Sequence, residues 1–354
     1  MNAENYAFAS KFNEKYNATT RKIVRMLSEN SRISISDLSK QIGMSRLPVR
    51  NKLKRIDEEF GIHYTAEFNE NLLRVAAQHI IAVKFDQKPD YDKIKSLLEK
   101  SYMPQLAVTM KGSSYDMIIY AVSTSTREYA HWDKSMQIKL SEYGAEWKPS
   151  EVVHRHLGFC PLRNELLDRM LIPQDYRGIL KLLNTDSRIP FRRISQELKM
   201  HFNTVAYNYK KMIRDGYIKR FTITMDKPKD LSTLAFFSKF KPKEGFEKTS
   251  SIARKMVMDD DQNSLISRTI LSASLIGSYD LLIMGIFDDY DTATKKYLGT
   301  YKQIYSPHGI RTTPGEVDRV ILGSLPIRSI DTKKEYNTIV WDPNIEPSKS
   351  LSNA

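Results

Sequence analysis

The sequence SRISISDLSKQIGMSRLPVRNKLKRIDEEFGI, residues 31–62, is typical of two short helices separated by a turn. Ser34 and Asp37 have the spacing of a capping box, which begins a helix. Gly43 ends that helix, and Ser45 can cap the next one. The second helix is rich in lysine and arginine. A short helix, a glycine-containing turn and a basic second helix predict a helix-turn-helix.

The same pattern returns 156 residues later in the chain. The matched pairs are Ser31 and Ser187, Ile33 and Ile189, Leu38 and Ile194, Ile42 and Leu198, Met44 and Met200, and Val49 and Val205. Matches at a single offset through several helices are hard to obtain by chance. We therefore infer an internal duplication of a unit about half as long as the chain.

Composition limits the class of protein. The 354 residues include 55 Lys and Arg against 42 Asp and Glu, a formal net charge of +13, which favours a polyanionic partner. The single cysteine, Cys160, excludes an internal disulfide and a cysteine metal cluster. No signal peptide and no apolar run long enough to span a membrane stand out. A cytoplasmic protein is expected.

After each helix-turn-helix the predicted elements follow the order β-α-β-β-α-β, a ferredoxin-like unit. The strands of the first such unit are predicted at residues 79–86, 105–110, 115–122 and 146–156. The second half repeats this order, with helices predicted at 246–258 and 290–305. The fold class is therefore α+β, with two winged helix-turn-helix domains alternating with two ferredoxin-like domains.

The same pattern predicts the domain boundaries. They are a loose N-terminus at 1–17, a winged helix-turn-helix at 18–70, a ferredoxin-like domain at 71–156, a linker at 157–173, a second winged helix-turn-helix at 174–228, a second ferredoxin-like domain at 229–331 and a tail at 332–354.

This arrangement resembles the Lrp/AsnC (feast/famine) family of prokaryotic transcription regulators. The residues that carry the resemblance are Ser31-Arg32-Ile33, Asp37-Leu38-Ser39, Ile42-Gly43-Met44-Ser45, Val49, Leu53 and the Gly-x-Tyr-Asp hairpins at 112–116 and 277–280. The resemblance implies DNA binding by the third helix, dimerisation through the sheets and an amino-acid-like effector near the Gly-x-Tyr-Asp turn. Family members have one such unit, whereas this chain has two.

The DNA-binding candidates are polar and basic residues on the second and third helices of each helix-turn-helix. They are Ser45, Arg46, Arg50, Lys54, Arg55, Arg192, Arg193, Asn203, Thr204, Asn208 and Lys211. Arginine and lysine suit phosphates and guanine edges, and asparagine suits adenine. The plain alternative is a solvated helix face. The second unit departs from the pattern, because Pro190 and His201 stand at its two cap positions.

The hairpin turns supply the effector candidates Gly112, Asp116, Gly277 and Asp280. Glycine would let a ligand approach the backbone, and aspartate could accept an ammonium group. Turn chemistry alone also explains these residues, and this interpretation is favoured. His154 and His156 lie two apart on one predicted strand, but no third ligand accompanies them, so no metal site is predicted. No cofactor is predicted either.

The favoured function is a sequence-specific DNA-binding transcription regulator that is not an enzyme. Its predicted partners are double-stranded DNA and a second copy, in a homodimer, or else its own other half, in an intramolecular pseudo-dimer; no membrane partner is predicted. Two alternatives remain. One is an enzyme similar to the siroheme decarboxylases, which are related to this family. The other is a protein–protein module of the transcription machinery.

Overall fold

The computed structural model describes residues 18–159, 161–228, 231–239, 269–287, 289–292, 294 and 311–326. In the first half, the elements are α1 Ala18–Glu29, α2 Ile35–Ile42, α3 Arg46–Phe60, β1 Ile62–Phe68, β2 Ala77–Lys84, α4 Tyr91–Glu99, β3 Pro104–Lys111, β4 Met117–Ser123, α5 Thr126–Leu140 and β5 Glu146–Leu157. The predicted helix 246–258, most of the predicted helix 290–305, both chain ends and Cys160 lie outside the described residues.

A short helix, α6 Asn164–Leu167, precedes the second half. The described elements that follow are α7 Gln174–Thr185, α8 Phe191–Leu198, α9 Phe202–Arg214, β6 Ile218–Met225, β7 Ser232–Lys239, β8 Thr269–Gly277, β9 Leu281–Phe287, α10 Tyr290–Thr292, β10 Arg311–Leu322 and β11 Leu325–Pro326. The predicted α+β fold class, with paired helix-turn-helix and sheet-containing parts, is confirmed. No helix among the described residues has the length and apolar character needed to cross a membrane.

Local chemistry explains where the first helix-turn-helix begins and ends its helices. The Ser34 hydroxyl accepts a hydrogen bond from the Asp37 backbone N–H at 3.0 Å, so the predicted cap of α2 is confirmed. Gly43 closes that helix at φ 75°, a left-handed conformation that glycine adopts without steric cost. The sequence therefore sets the turn between α2 and α3 by residue type at two positions.

The strands that follow the helices do not form separate wings. β1 and β6 pair with each other in antiparallel fashion, with Thr65 directly opposite Thr222, and β11 adds a third strand on β6. The hydroxyls of Thr65 and Thr222 donate equivalent hydrogen bonds to the helices that cover this sheet. Thr65 donates to the Asn184 carbonyl at 2.9 Å, and Thr222 donates to the Ser28 carbonyl at 2.8 Å. The two helix-turn-helix units are thus joined about an approximate two-fold axis.

Two arginines cross between the units in the same symmetric way. Arg32 donates to the Ser187 carbonyl, and Arg188 donates to the Ser31 carbonyl at 2.6 Å. The Arg32 guanidinium also lies over three aromatic rings, at 5.3 Å from the centroids of Phe191 and Tyr209 and 5.5 Å from Phe221. These cation–π contacts and hydrogen bonds fix the units against each other.

The two ferredoxin-like sheets join edge to edge into one closed eight-stranded barrel. β5 of the first half pairs with β8 of the second, and β10 of the second half pairs with β3 of the first. The sequence predicts that the two ferredoxin-like domains pair through their sheets, within one chain or between chains. In this structure the edges of the two sheets pair, which satisfies the backbone groups that an open sheet leaves exposed.

The sheet residues alternate between two apolar layers. Ile80, Tyr120 and Phe237 belong to the core that runs through the barrel interior, whereas Ile81 and Ile119 face the helices outside. That outer layer is covered in the first half by Trp132 and Met136 of α5 and by Ile94 of α4. Burial on both faces explains why these strands are apolar at successive positions.

A polar network interrupts the apolar interior at one place. Arg155 on β5 contacts both carboxylate oxygens of Glu70 at 2.9 Å, and the two side chains are 13% and 12% exposed. Gln78 donates to Glu70 at 2.7 Å and accepts from the hydroxyl of Tyr120. Glu70 lies in the connector after β1, so this network ties the connector to the barrel wall.

Candidate nucleic-acid interface

The third helix of the first unit, α3, has one buried and one open face. Val49, Leu53 and Ile56 form the buried stripe, at 0%, 5% and 1% exposure. Helical periodicity then leaves the predicted DNA contacts on the open side. The exposed residues among them are Ser45, Arg46, Arg50, Lys54 and Arg55. The open face of α3 therefore carries four cationic side chains.

Two of these cations make local contacts. Arg46 donates to the Ser36 hydroxyl at 2.9 Å, which links the start of α3 to α2. Lys54 lies 3.7 Å from Glu58, with side chains 78% and 61% exposed. An exposed ion pair of this kind is worth well under about 1 kcal/mol, so it does not hold Lys54 back from a phosphate.

In the second unit, His201 stands at the position of Ser45, whose side chain makes no cap hydrogen bond with α3. Its Nδ1 accepts from the Asn203 backbone N–H at 3.3 Å, so this histidine caps α9. The predicted contacts Arg192, Arg193, Asn203 and Thr204 are all exposed. The structure therefore places four of the six candidates of this unit on the open surface.

The other two candidates of the second unit lie differently. Asn208 is only 6% exposed, and its Nδ2 meets no acceptor among the described residues. Val205, Asn208 and Met212 follow each other at spacings of three and four, so Asn208 is on the buried stripe of α9 and cannot reach a groove. Lys211 lies over the Tyr176 ring at 5.9 Å, and a hydrogen bond with the Tyr176 hydroxyl raises the pKa of Lys211.

Sequence reasoning missed several exposed residues of the second unit. Lys199, Lys210 and Arg214 add cations to its surface. Lys199 has φ 51°, a left-handed conformation unusual for a residue with a side chain, at the position that Gly43 occupies in the first unit. Phe202 and Tyr207 are 48% and 61% exposed. The spacing of four between Asn203 and Tyr207 was the available signal that Tyr207 lies on the open face.

The predicted effector residues are occupied by the protein itself. Asp116 accepts from the Lys84 ammonium at 3.0 Å and from the Phe85 N–H at 2.8 Å. Asp280 accepts from Lys239 at 3.0 Å. These ion pairs are equivalent in the two halves, and both carboxylates already have a cation from the neighbouring strand.

The glycines of the two turns share one conformational need. Gly112 has φ 63° and Gly277 has φ 133°, which residues with a side chain rarely adopt. A Cβ at Gly277 would lie 2.9 Å from the Pro149 carbonyl oxygen, so this glycine lets β8 approach β5. Backbone conformation and the packing of β8 on β5 therefore account for the glycines of the turns. The effector remains a prediction.

The histidine pair on β5 belongs to no metal-binding group among the described residues. His154 is exposed, and its pKa is lowered by partial burial and by the charge of Arg155. The side chain of His156 lies outside the described residues. Among the described residues, no group of three or more His, Cys, Asp or Glu side chains is arranged to hold a metal ion.

A family model of winged helix-turn-helix DNA-binding domains matches residues 16–56 and 177–219. Both segments contain the helices and turns of the two helix-turn-helix units described above. β1, which follows the first segment, pairs with β6, whose first residues end the second segment. A search of curated proteins finds no match.

Solved structures extend the comparison to the whole chain. The siroheme decarboxylase NirDL is 10% identical over 90% of this chain and 96% of its own, with a TM-score of 0.55. Its complex with an iron-uroporphyrin III analogue matches at 8% identity and a TM-score of 0.54. An AsnC family transcriptional regulator from Agrobacterium tumefaciens matches 46% of this chain and 99% of its own, at 16% identity and a TM-score of 0.35. The match to NirDL shows a shared fold, and the predicted resemblance to winged helix-turn-helix proteins is confirmed.

One prediction is contradicted by these matches. The sequence was interpreted as that of a protein that is not an enzyme, yet the structures that align with nine tenths of the chain are those of an enzyme. The physical reason is general: a fold is a scaffold on which different sites are built, so a helix-turn-helix does not exclude catalysis elsewhere in the same chain.

Proposed function

We propose that this protein is a sequence-specific DNA-binding transcription regulator that reads its site with α3 and α9. The observation that carries the proposal is the open face of α3, where Arg46, Arg50, Lys54 and Arg55 project from a helix whose other face is buried. The match to the winged helix-turn-helix DNA-binding model supports the same function. Basic residues at this place on a helix-turn-helix contact phosphates and base edges of the major groove.

The pairing of the two units supports binding as a single object. In two-fold regulators, symmetric helix-turn-helix units place their third helices at a fixed separation along the duplex. Here the crossing contacts of Arg32 and Arg188 supply that constraint inside one chain. The two helix-turn-helix units (α1–α3 and α7–α9) are the DNA-binding heads of the molecule. Both heads therefore reach DNA together, without the entropy cost of bringing two molecules into register.

The test compares two double variants of the full-length protein that remove the same charge. R50A/K54A removes two cations from α3, and K134A/K139A removes two exposed cations from α5. Binding to a labelled mixed-sequence duplex is measured by fluorescence anisotropy across a salt series. R50A/K54A should weaken binding and reduce the salt slope by about one for each phosphate that is no longer neutralised. The α5 variant should match the wild type, and equal weakening in both variants would contradict the proposal.

A second candidate is an enzyme that acts on a tetrapyrrole. The observation that favours it is the alignment of NirDL with 90% of the chain at a TM-score of 0.55. Its test is a titration of iron-uroporphyrin III with the full-length protein, followed by absorbance. A saturable spectral change, with release of carbon dioxide from siroheme, supports this function. Tight, salt-dependent DNA binding without any spectral change excludes it as the main activity.

A further inference from the structure

We propose that the two heads read different base chemistry, so that the DNA site is asymmetric: α3 specifies guanine through hydrogen bonds, and α9 specifies thymine through its methyl group. This inference rests on the proposed function, because it assumes that both helices enter a major groove. It goes further by naming the atoms of the bases that each helix recognises.

The scaffold that holds the two helices is symmetric, so their residues can be compared position by position. The offset of 156 that relates Ser31 to Ser187 also relates Arg46 to Phe202 and Asn51 to Tyr207. The same offset relates Arg50 to Ala206. At the start of the third helix, where side chains reach base edges, two arginines are therefore replaced by a phenyl ring and a methyl group.

Two of the three aromatic side chains of α9 are exposed, whereas Tyr209 packs against Phe191 and Phe221. Phe202 is 48% exposed and Tyr207 is 61% exposed. Phe202 is not loose, because its ring lies 6.5 Å from the Phe191 ring, and Phe191 in turn lies under the Arg32 guanidinium. The exposed edge of Phe202 is thus held in place by the same contacts that join the two units.

The surroundings of this apolar patch favour DNA over an apolar protein surface. The exposed cations of α8, α9 and the turn between them are Arg192, Arg193, Lys199, Lys210 and Arg214. A protein partner that buried Phe202 and Tyr207 would have to accommodate these charges, whereas a duplex supplies phosphates for them. A polyanion that carries apolar groups in its groove fits both features of the surface.

The chemistry of the bases then separates the two helices. The C5 methyl of thymine is the apolar contact point of the major groove, and phenylalanine and alanine are among the side chains that pack on it. Arginine instead pairs with O6 and N7 of guanine. A phenyl ring cannot replace that hydrogen bonding, so identical half-sites cannot satisfy both helices.

The experiment changes one functional group of a base at a time. Full-length protein selects its site from a duplex pool with a randomised centre. Each thymine of the selected site is then replaced by deoxyuridine, which lacks only the methyl group. Substitution in one half of the site should weaken binding about fourfold for each methyl buried. Replacement of guanine by 7-deazaguanine, which lacks the N7 acceptor, should weaken binding in the other half.

Protein variants assign each effect to its helix. Phe202→Asn should abolish the deoxyuridine effect at the thymine that Phe202 contacts and leave the 7-deazaguanine effect intact, and R46A/R50A should do the reverse. Ile138→Ala is the matched control, because Ile138 is 64% exposed on α5, away from both heads. Circular dichroism confirms that each variant is folded. A selected site with two identical halves, or a deoxyuridine effect that Phe202→Asn leaves unchanged at every thymine, overturns the inference. Absence of any DNA binding instead contradicts the proposed function.

Discussion

The side-chain oxygens of Ser31 and Ser187, which are 156 residues apart in the chain, lie 2.5 Å from each other. Both serines are fully buried. Each occupies the same position in its own helix-turn-helix, so this hydrogen bond lies on the approximate two-fold axis between the units. Because a buried hydroxyl without a partner is costly, each unit completes the hydrogen bonding of the other.

The crossing arginines should contribute strongly to stability. Arg32→Ala removes the hydrogen bond to the Ser187 carbonyl and three cation–π contacts, and we expect a decrease of about 2–4 kcal/mol in the free energy of unfolding. Arg193→Ala, which breaks a mostly exposed pair with Glu197, should cost less than about 1 kcal/mol. Urea denaturation measures both variants. Equally small decreases would show that Arg32 does not hold the units together.

Lys199 should show opposite effects on stability and on DNA binding. Its left-handed backbone favours glycine, so Lys199→Gly should stabilise the protein by about 0.5–1 kcal/mol. The same change removes an exposed cation from the turn before α9 and should reduce the salt slope of DNA binding by about one. Thermal unfolding and anisotropy are measured on the same preparations. A destabilised Lys199→Gly would contradict the strain argument.

The reverse change in the first unit is the matched control. Gly43→Lys would put a side chain at φ 75° in the equivalent turn. It should destabilise the protein by about 1 kcal/mol, since the left-handed conformation carries that order of cost for ordinary residues. An unchanged melting temperature in this variant would mean that the turn relaxes to another conformation.

His79 should make the protein less stable in mild acid. Burial lowers the pKa of His79 from 6.5 to about 4, and the neutral ring stacks on Tyr129 at 3.4 Å. Between these two pKa values the unfolded chain binds a proton and the folded chain does not. Stability should therefore fall as pH falls below 6.5, by at most about 2 kcal/mol at pH 5 and less after solvent screening. His79→Gln should remove this part of the pH dependence in urea titrations at pH 7 and pH 5.

The buried pair of Glu70 and Arg155 should be costly to break from one side. Either Glu70→Gln or Arg155→Met leaves one charge in the barrel without its counter-charge, and each should cost about 3–5 kcal/mol. The double variant should be destabilised by less than the sum of the two single variants, because no lone charge remains. Chemical denaturation of the three variants gives the coupling energy. Strictly additive effects would show that the pair does not interact.

The closed barrel should make the protein a monomer in solution. Residues that form the outer strands of the two sheets are already paired, β5 with β8 and β3 with β10. The sequence predicts a homodimer of tandem chains or an intramolecular pseudo-dimer, and the paired edges correspond to the second arrangement. Multi-angle light scattering at micromolar concentration should give the mass of one chain, 41.0 kDa. A mass twice as large would require an interface outside the barrel edges.

Local features of this protein could be predicted from its sequence. Ser34 and Gly43 set the ends of α2 through their own chemistry, and the offset between Ser31 and Ser187 revealed the duplication. Asn208 was misplaced because its residue type suits DNA. The spacing of three and four from Val205 to Met212 already puts it on the buried stripe. In this case helical phase was the better guide to its environment.

The pairing between the two halves could not be predicted from the sequence. Apolar strands such as β4 and β9 have similar compositions, and composition does not indicate which strands pair between the two sheets. The role of Arg32 was equally hidden, because the rings around it come from three elements of the other half. The exposed aromatics of α9 stood in the sequence as Phe202 and Tyr207, but their outward position depends on the phase of the helix.

The barrel has a consequence for synthesis of the protein on the ribosome. Val108 of β3 pairs with Val320 of β10, so the last neighbour of an early strand emerges only when nearly the whole chain has been translated. Contacts of such long sequence separation slow folding. Until then the β3 edge of the first sheet is unpaired, and the β5 edge is also unpaired until β8 has been translated. Unpaired edges are sites for association between nascent chains. Chaperone dependence and aggregation of chains truncated before residue 311 are the expected signs of this delay.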